Sequence, residues 1–320
     1  VTPRVAPDWS INAEFLAKQD NAAKAFLTGS GTTPGAGDKH AQPALGATLE
    51  RIAKEGRDGF YAGPVAEEIC AYLKDKGGVH TLDDFYAQRA EYVTPISADY
   101  RGHMVLELPP NGQGVNALLI MNILTALGKN FADLEEDERI HYLAEATKLG
   151  YATRDRYVAD PAQAEVDVEA LLSAEYAQAC AAKIAPDRAL PQRPIDLPKH
   201  RDTIYLCVVD EDGNAMSFIN SIFHSFGSGL MTDRSGVLLH SRAASFVLED
   251  GHPNILAGGK RPMHTIIPAM LMKDGDVVMP FGVMGGHYQA TGQAHHLSRM
   301  FDMGMDPQEA MEAPRSFADG

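Results

Sequence analysis

The junction Asp202-Thr203 is where the residue types of this chain offer chemistry, because a proline-rich stretch delivers it and an apolar run starts just after it. A hydroxyl is a weak nucleophile unless a base lies beside it. A threonine made N-terminal by cutting the bond before it carries its own base, the free α-amine, whose ordinary pKa of roughly 7.7–8.0 lies close to neutral pH. The prolines at Pro186, Pro191, Pro194 and Pro198 cannot sustain a helix or a central strand, so 186–200 reads as an extended linker able to release such a terminus. Spacing alone does not select this reading, since a threonine opening a strand is also an ordinary β-former.

The elements that must position this junction change character along the chain. Up to about residue 185 the texture is helical. Leu45, Leu49 and Ile52 recur at helical spacing, as do Val65, Ile69, Tyr72 and Leu73, and Gly77-Gly78 stops the second of these helices. Thr81 and Asp84 have the spacing of a helix-capping pair. The run 115–127 is apolar almost all round and reads as a central buried helix. Ile140, Leu143, Thr147 and Tyr151 line one face of another helix, with Arg139, Lys148 and Arg154 on its polar side. After the linker the texture turns to strands: 204–209, a turn at Asp210-Glu211-Asp212-Gly213-Asn214, and a returning strand at 215–222. A further pair is expected at 236–239 and 266–272, with a tight turn at 273–276 into 277–281. A helix over 288–303 follows, and Asp306-Pro307 opens another. Helices first and strands later argue for α+β layers and against a parallel doubly wound sheet.

Composition bounds the partners. The chain has 320 residues, 45% hydrophobic and 22% charged, which is globular, and a formal charge of −15. An acidic chain is repelled by phosphate backbones, so a small substrate is expected and no nucleic acid. No apolar run reaches the ~18 residues of a membrane-spanning helix. Cys70, Cys180 and Cys207 form no CxxC pair and read as reduced, buried thiols. The chain opens at Val1 without a leader, so a preceding segment, and with it any signal for a cytoplasmic or periplasmic address, is expected to be missing.

Other candidates read as structural. Gly29-Ser30-Gly31, within the loop 28–42, lacks the strand and Lys-Ser/Thr of a phosphate cradle. His295-His296 point apart on a helix and read as its surface, so no metal is expected. His224 reads as packed, the acidic run 133–138 as a solvated helix N-terminus, and Arg154, Asp155 and Arg156 as surface pairs. Tyr100-Arg101-Gly102 reads as a turn.

Three segments after the junction, 203–230 (TIYLCVVDEDGNAMSFINSIFHSFGSGL), 260–268 (KRPMHTIIP) and 281–286 (FGVMGG), resemble small-subunit motifs of the γ-glutamyltranspeptidase family, one of the N-terminal nucleophile hydrolases. Upstream, 57–62 (RDGFYA), 94–102 (TPISADYRG), 108–114 (LPPNGQG) and 142–161 (YLAEATKLGYATRDRYVADP) are similar to its large subunit, in family order. The resemblance implies an αββα four-layer sandwich, with 1–202 as the C-terminal part of the large subunit and 203–320 as the small subunit. It implies a zymogen that cuts itself between Asp202 and Thr203 into a heterodimer. Thr203 would then be the nucleophile, Ser221 the hydroxyl that orients it, and Gly285 and Gly286 the backbone amides facing the oxyanion. Glycine suits that place because the amides approach the charge with no side chain in the way. No cofactor is called for, since nucleophile and base sit on one residue.

The departures from the family bear on the substrate. Ser245 stands where the family has an acidic residue for the substrate ammonium, and Arg242 where it has a Gln or Glu. Phe223 replaces an Asn or Glu, and His264-Thr265 replaces the Ser-Ser pair that holds the α-carboxylate. An arginine repels an ammonium and welcomes a carboxylate. The implied function is amide hydrolysis or acyl transfer through a threonyl acyl-enzyme, on a γ-glutamyl compound of glutathione metabolism or a small carboxylate-bearing amide. The alternatives are an amidohydrolase without γ-glutamyl specificity, for oxamate-like or glutaryl-like substrates, and a non-catalytic homologue that only binds.

Overall fold

A computed structural model of the chain describes residues 1–191 and 203–317. Contacts divide it into two units, Val1–Tyr92 with His224–Ser241, and Val93–Phe223 with Arg242–Gly320. Stretches from both sides of Thr203 therefore contribute to each unit.

The first unit is helical: α1 (Val5–Ile11), α2 (Ala13–Ala17), α3 (Asp20–Phe26), α4 (Pro43–Glu55), α5 (Asp58–Tyr61), α6 (Gly63–Asp75) and α7 (Leu82–Ala87). A proline sits in the first turn of α4 and of α6, where its missing N–H leaves no bond unmade. At the start of α7 the Asp84 carboxylate accepts the Thr81 N–H at 2.7 Å, the capping pair expected from the sequence. Leu16, Ala22, Phe26 and Met231 form a small core with Trp9 and Phe226 against it. The expected strand at 236–239 is not formed as a regular element; its backbone meets 228–232 through an isolated bridge between Leu238 and Met231, with the Leu239 N–H donating to the Leu230 carbonyl at 2.9 Å and the Thr232 N–H to the Val237 carbonyl at 3.0 Å. Side chains of helices hold the turn just before it. Glu68 accepts the N–H groups of Arg234 and Ser235 at 2.8 and 2.9 Å, and the Thr48 hydroxyl donates to the Ser235 carbonyl at 2.8 Å.

The second unit carries β1 (Ile96–Tyr100), β2 (His103–Glu107), α8 (Gly114–Ala126), α9 (Glu136–Tyr157), α10 (Val168–Leu172), α11 (Ala174–Ala181), β3 (Thr203–Val209), β4 (Ala215–Ser221), β5 (Ala269–Lys273), β6 (Asp276–Phe281), α12 (Gln289–Phe301) and α13 (Pro307–Glu312). One antiparallel sheet has the order β1-β2-β5-β6, and β3 and β4 form a separate hairpin. The mixture is α+β. The all-round apolar run is α8, buried from Gly114 to Leu124 except at Asn122, which lies half-buried. Glycine lets α9 approach it closely: a Cβ at Gly150 would stand 2.5 Å from Asn116 Oδ1 and 2.7 Å from Ile120 Cγ1.

Three sequence expectations are corrected here. Cys207 is exposed, because the far end of the β3–β4 hairpin is open, while Cys180 is buried and Cys70 half-buried. His295 and His296 are not on the surface of α12 but partly buried, and burial pushes His295 down to about 4 and lowers His296. The strand expected at 266–272 starts only at Ala269.

Candidate functional site

The hairpin brings the first residue of β3 against the last of β4, since Thr203 pairs with Ser221. Thr203 is 5% exposed, and its hydroxyl donates to Ser221 Oγ at 3.2 Å. Ser221 Oγ also accepts the Phe223 N–H at 3.1 Å, and Phe223 has a φ of +80°. A non-glycine residue in that region is uncommon, and here it turns the chain sharply just after the serine. Asp202 lies outside the described residues.

A turn leaves β6 and enters α12 through Gly285, with φ +124°, and Gly286, with φ +59°. Side chains other than glycine rarely adopt the first of these. The Gly285 carbonyl accepts the Tyr288 N–H at 3.1 Å. Peptide N–H and C=O groups point opposite ways, so the Gly286 N–H faces away from α12.

Arg242 is buried at 8% exposure in a short 3₁₀ turn, Arg242–Ser245. Its guanidinium lies over the Phe223 ring at 5.2 Å, donates to Thr265 Oγ1 at 3.2 Å and reaches the Ser221 carbonyl at 3.4 Å. Burial pushes Arg242 down to about 10, which leaves it cationic at neutral pH. Asn254 holds the Ser245 carbonyl at 2.7 Å, yet the buried Ser245 Oγ has no hydrogen-bond partner among the described residues. The same holds for His264 Nδ1. The His264 backbone is fixed on both sides, its N–H to the Asn111 carbonyl at 3.1 Å and its carbonyl to the Gln113 N–H at 3.0 Å. Thr203, Ser221 and Phe223 are thus linked to one another, and Arg242 connects them to Thr265. Buried polar groups left without partners beside a buried cation are an arrangement that an anionic ligand can satisfy.

Burial, then the charges of Arg242 and Arg261, push His264 down to about 4, against a bond at the Ile266 backbone that acts the other way. The unfolded chain, with an ordinary histidine near 6.5, binds a proton that the folded chain refuses. This group's share of stability is therefore fully present above about pH 6.5 and is lost as pH falls toward about 4. A His264→Gln protein is expected to lose that part of the slope. Urea titrations of both proteins across this range check it, and equal slopes would refute it.

Three residues that sequence reasoning assigned no role join the site. Gln113, in the 108–114 motif, and Arg154 are 0% and 5% exposed, so the expected pair of Arg154 with Asp155 is formed but its arginine is buried rather than at the surface. The spacing held a usable signal: Arg154 follows Thr147 and Tyr151 at helical intervals and so shares their buried face. Arg154 Nη1 donates to Gln113 Oε1 at 2.9 Å and to Nδ1 of His287, the third, at 2.8 Å.

The fold is of the N-terminal nucleophile hydrolase type, as comparison with known structures shows. The gamma-glutamyltranspeptidase family matches residues 1–319, and the chain belongs to that family. It is 40% identical over 306 residues to the glutathione hydrolase-like YwrD proenzyme of Bacillus subtilis (strain 168), covering 95% of this chain and 57% of that protein. It is 36% identical over 315 residues to the oxamate amidohydrolase proenzyme of Klebsiella pneumoniae, covering 98% and 59%. Its structure resembles that of cephalosporin acylase from Bacillus halodurans with a TM-score of 0.88 and 35% identity, over 98% of this chain and 58% of the other. The chain thus spans less than three fifths of the length of these relatives. No helix among the described residues is long and apolar enough to cross a membrane.

Proposed function

We propose that the whole protein is a self-processing amide hydrolase or acyltransferase that works through an ester on Thr203. The observation that carries this reading is the 3.2 Å contact between the hydroxyls of Thr203 and Ser221, at the first residue of a strand. In processing, the Thr203 hydroxyl attacks the carbonyl of Asp202, the acyl group moves from nitrogen to oxygen, and water hydrolyses the ester. The two chains stay together as a heterodimer. In turnover the freed α-amine takes the hydroxyl proton while Oγ1 attacks the substrate carbonyl, and the proton then goes to the leaving amine. Water or an acceptor amine releases the acyl group. The amides of Gly285 and Gly286 face the developing oxyanion, an arrangement in which one donor is typically worth about 3–4 kcal/mol.

The acyl group carries a carboxylate and no ammonium. Arg242, with Ser245 Oγ and His264 Nδ1, which have no hydrogen-bond partner among the described residues, supports this over a γ-glutamyl substrate. The relatives are named for both chemistries, glutathione hydrolysis and oxamate hydrolysis. The test is a comparison of kcat/KM for oxamate, a glutaryl anilide and a γ-glutamyl anilide on the purified whole protein, after sequencing of its chain termini. A preference of roughly tenfold or more, about 1.4 kcal/mol, for the acyl groups lacking an ammonium is expected. Strong preference for the γ-glutamyl compound would reverse the substrate reading and leave the self-processing one standing.

A further inference from the structure

Gln113 is wholly buried, and its carboxamide bridges two segments of the site. Nε2 donates to the Thr265 carbonyl at 3.0 Å and to the Gly286 carbonyl at 3.1 Å, while Oε1 accepts from Arg154 at 2.9 Å. A carboxamide has one acceptor end and one donor end. Turned the other way, its N–H₂ would meet a guanidinium and its oxygen two carbonyls. Arg154, which has only donors, therefore decides together with the two carbonyls which way Gln113 faces. Arg154 is itself held by Asp155, at 2.7 Å from Nε, and lies over the Tyr151 ring at 4.6 Å. The Tyr151 hydroxyl donates to the His287 carbonyl. Successive carbonyls of the turn are thus all tied: Gly285 to Tyr288, Gly286 to Gln113, His287 to Tyr151. Fixing a carbonyl fixes the N–H of the next residue, on the same peptide plane: the Gly285 carbonyl, held by Tyr288, sets the Gly286 N–H, while the Gly286 carbonyl, held by Gln113, sets the His287 N–H and with it the place of the turn.

We propose that Gln113 and Arg154 are positioning residues for the Gly285–Gly286 turn. Arg154 orients the Gln113 carboxamide, and Gln113 locks the turn at a set distance from Thr265. The same guanidinium, by donating to Nδ1 of His287 at 2.8 Å, sets that ring as the tautomer with its proton on Nε2. His287 in turn meets edge to face, at 6.0 Å, the ring of Phe223, whose own N–H bonds Ser221 Oγ. The nucleophile side and the turn are held by one buried network. This rests on the reading of the turn as the oxyanion site; the tautomer does not.

Two measurements test it. In the whole processed protein, Gln113→Met, which keeps the length and removes the bonds, is expected to lower kcat on the order of 100-fold with KM changed less than about threefold, as displaced donors near a reacting centre do. Affinity for a carboxyalkyl boronic acid, whose adduct with a hydroxyl is tetrahedral and anionic, is expected to fall by the same factor. Arg154→Lys, which keeps the charge and loses the fork, is expected to give a smaller fall of the same pattern. A merely structural role would lower the melting temperature and the fraction of active sites while leaving kcat per active site and boronate affinity unchanged, and that result overturns the proposal. So does a change confined to KM. Separately, ¹⁵N shifts of His287 in the wild type are expected to report a proton on Nε2 alone at neutral pH; a proton on Nδ1 overturns the network even if a variant fails to fold. A wild type that leaves Thr203 uncut and turns over no amide would count against the hydrolase reading, while the tautomer would still decide the network.

Discussion

A Thr203→Ala protein is expected to run as one uncut chain and to lose amide turnover by on the order of 10⁴-fold or more, the scale seen when a hydrolase loses its nucleophile. Both losses come from one atom. On the proposed mechanism the hydroxyl that would attack the carbonyl of Asp202 in processing is the one that would attack substrate later, and the amine that would assist it exists only after the cut. Ser221 cannot take over, because its oxygen already accepts from Thr203 and from the Phe223 N–H, and it carries no terminal amine. Thr203→Ser keeps the hydroxyl and is expected to cut and turn over at a reduced rate, which separates loss of the oxygen from loss of the fold. Denaturing electrophoresis and terminal sequencing read the outcome: the small chain of the wild type should begin Thr203-Ile204-Tyr205. A wild type that hydrolyses amides with the bond before Thr203 intact would defeat the mechanism.

Much of this frame is legible in the residues because it depends on local physics. The α8 run needs no partner to be recognised as buried, and the Asp210 turn announces itself by a carboxylate that caps its own backbone, accepting the Asp212 and Asn214 N–H groups at 3.0 and 2.8 Å. The cap of α13 is equally local, with Asp306 accepting from Gln308 and Glu309. What escapes is long-range. Arg154 looks like a surface charge until Gln113, 41 residues before it, and His287, 133 after it, are seen to meet it. The 236–239 segment has the composition of a strand, but its backbone pairs only briefly and irregularly with 228–232, and helix side chains hold the turn between them at Arg234 and Ser235. Thr203 lies between these cases. Its place at the head of a strand is readable, whereas its pairing with Ser221 follows from a register that only the hairpin fixes.

Arg242→Gln is expected to lower kcat/KM for carboxylate-bearing amides by roughly 2–4 kcal/mol, about 30- to 1,000-fold, since a buried charge loses its counterpart. An amide whose acyl group has no charge should change far less, because the guanidinium gives it no charged bond. The glutamine retains a donor toward Thr265 Oγ1, and so limits the collapse that alanine would bring beneath the Phe223 ring. Arg242 also reaches the Ser221 carbonyl at 3.4 Å, so a fall common to both substrates would instead mark displacement of the nucleophile's partner. The ratio between charged and neutral acyl groups is therefore the decisive quantity, and processing serves as an internal control because its acyl group belongs to the chain itself. If the ratio stays within about twofold of the wild type while processing remains normal, Arg242 does not read the substrate carboxylate. A ratio that falls, with a γ-glutamyl compound gaining as the repelling cation is removed, is the result the charge pattern requires.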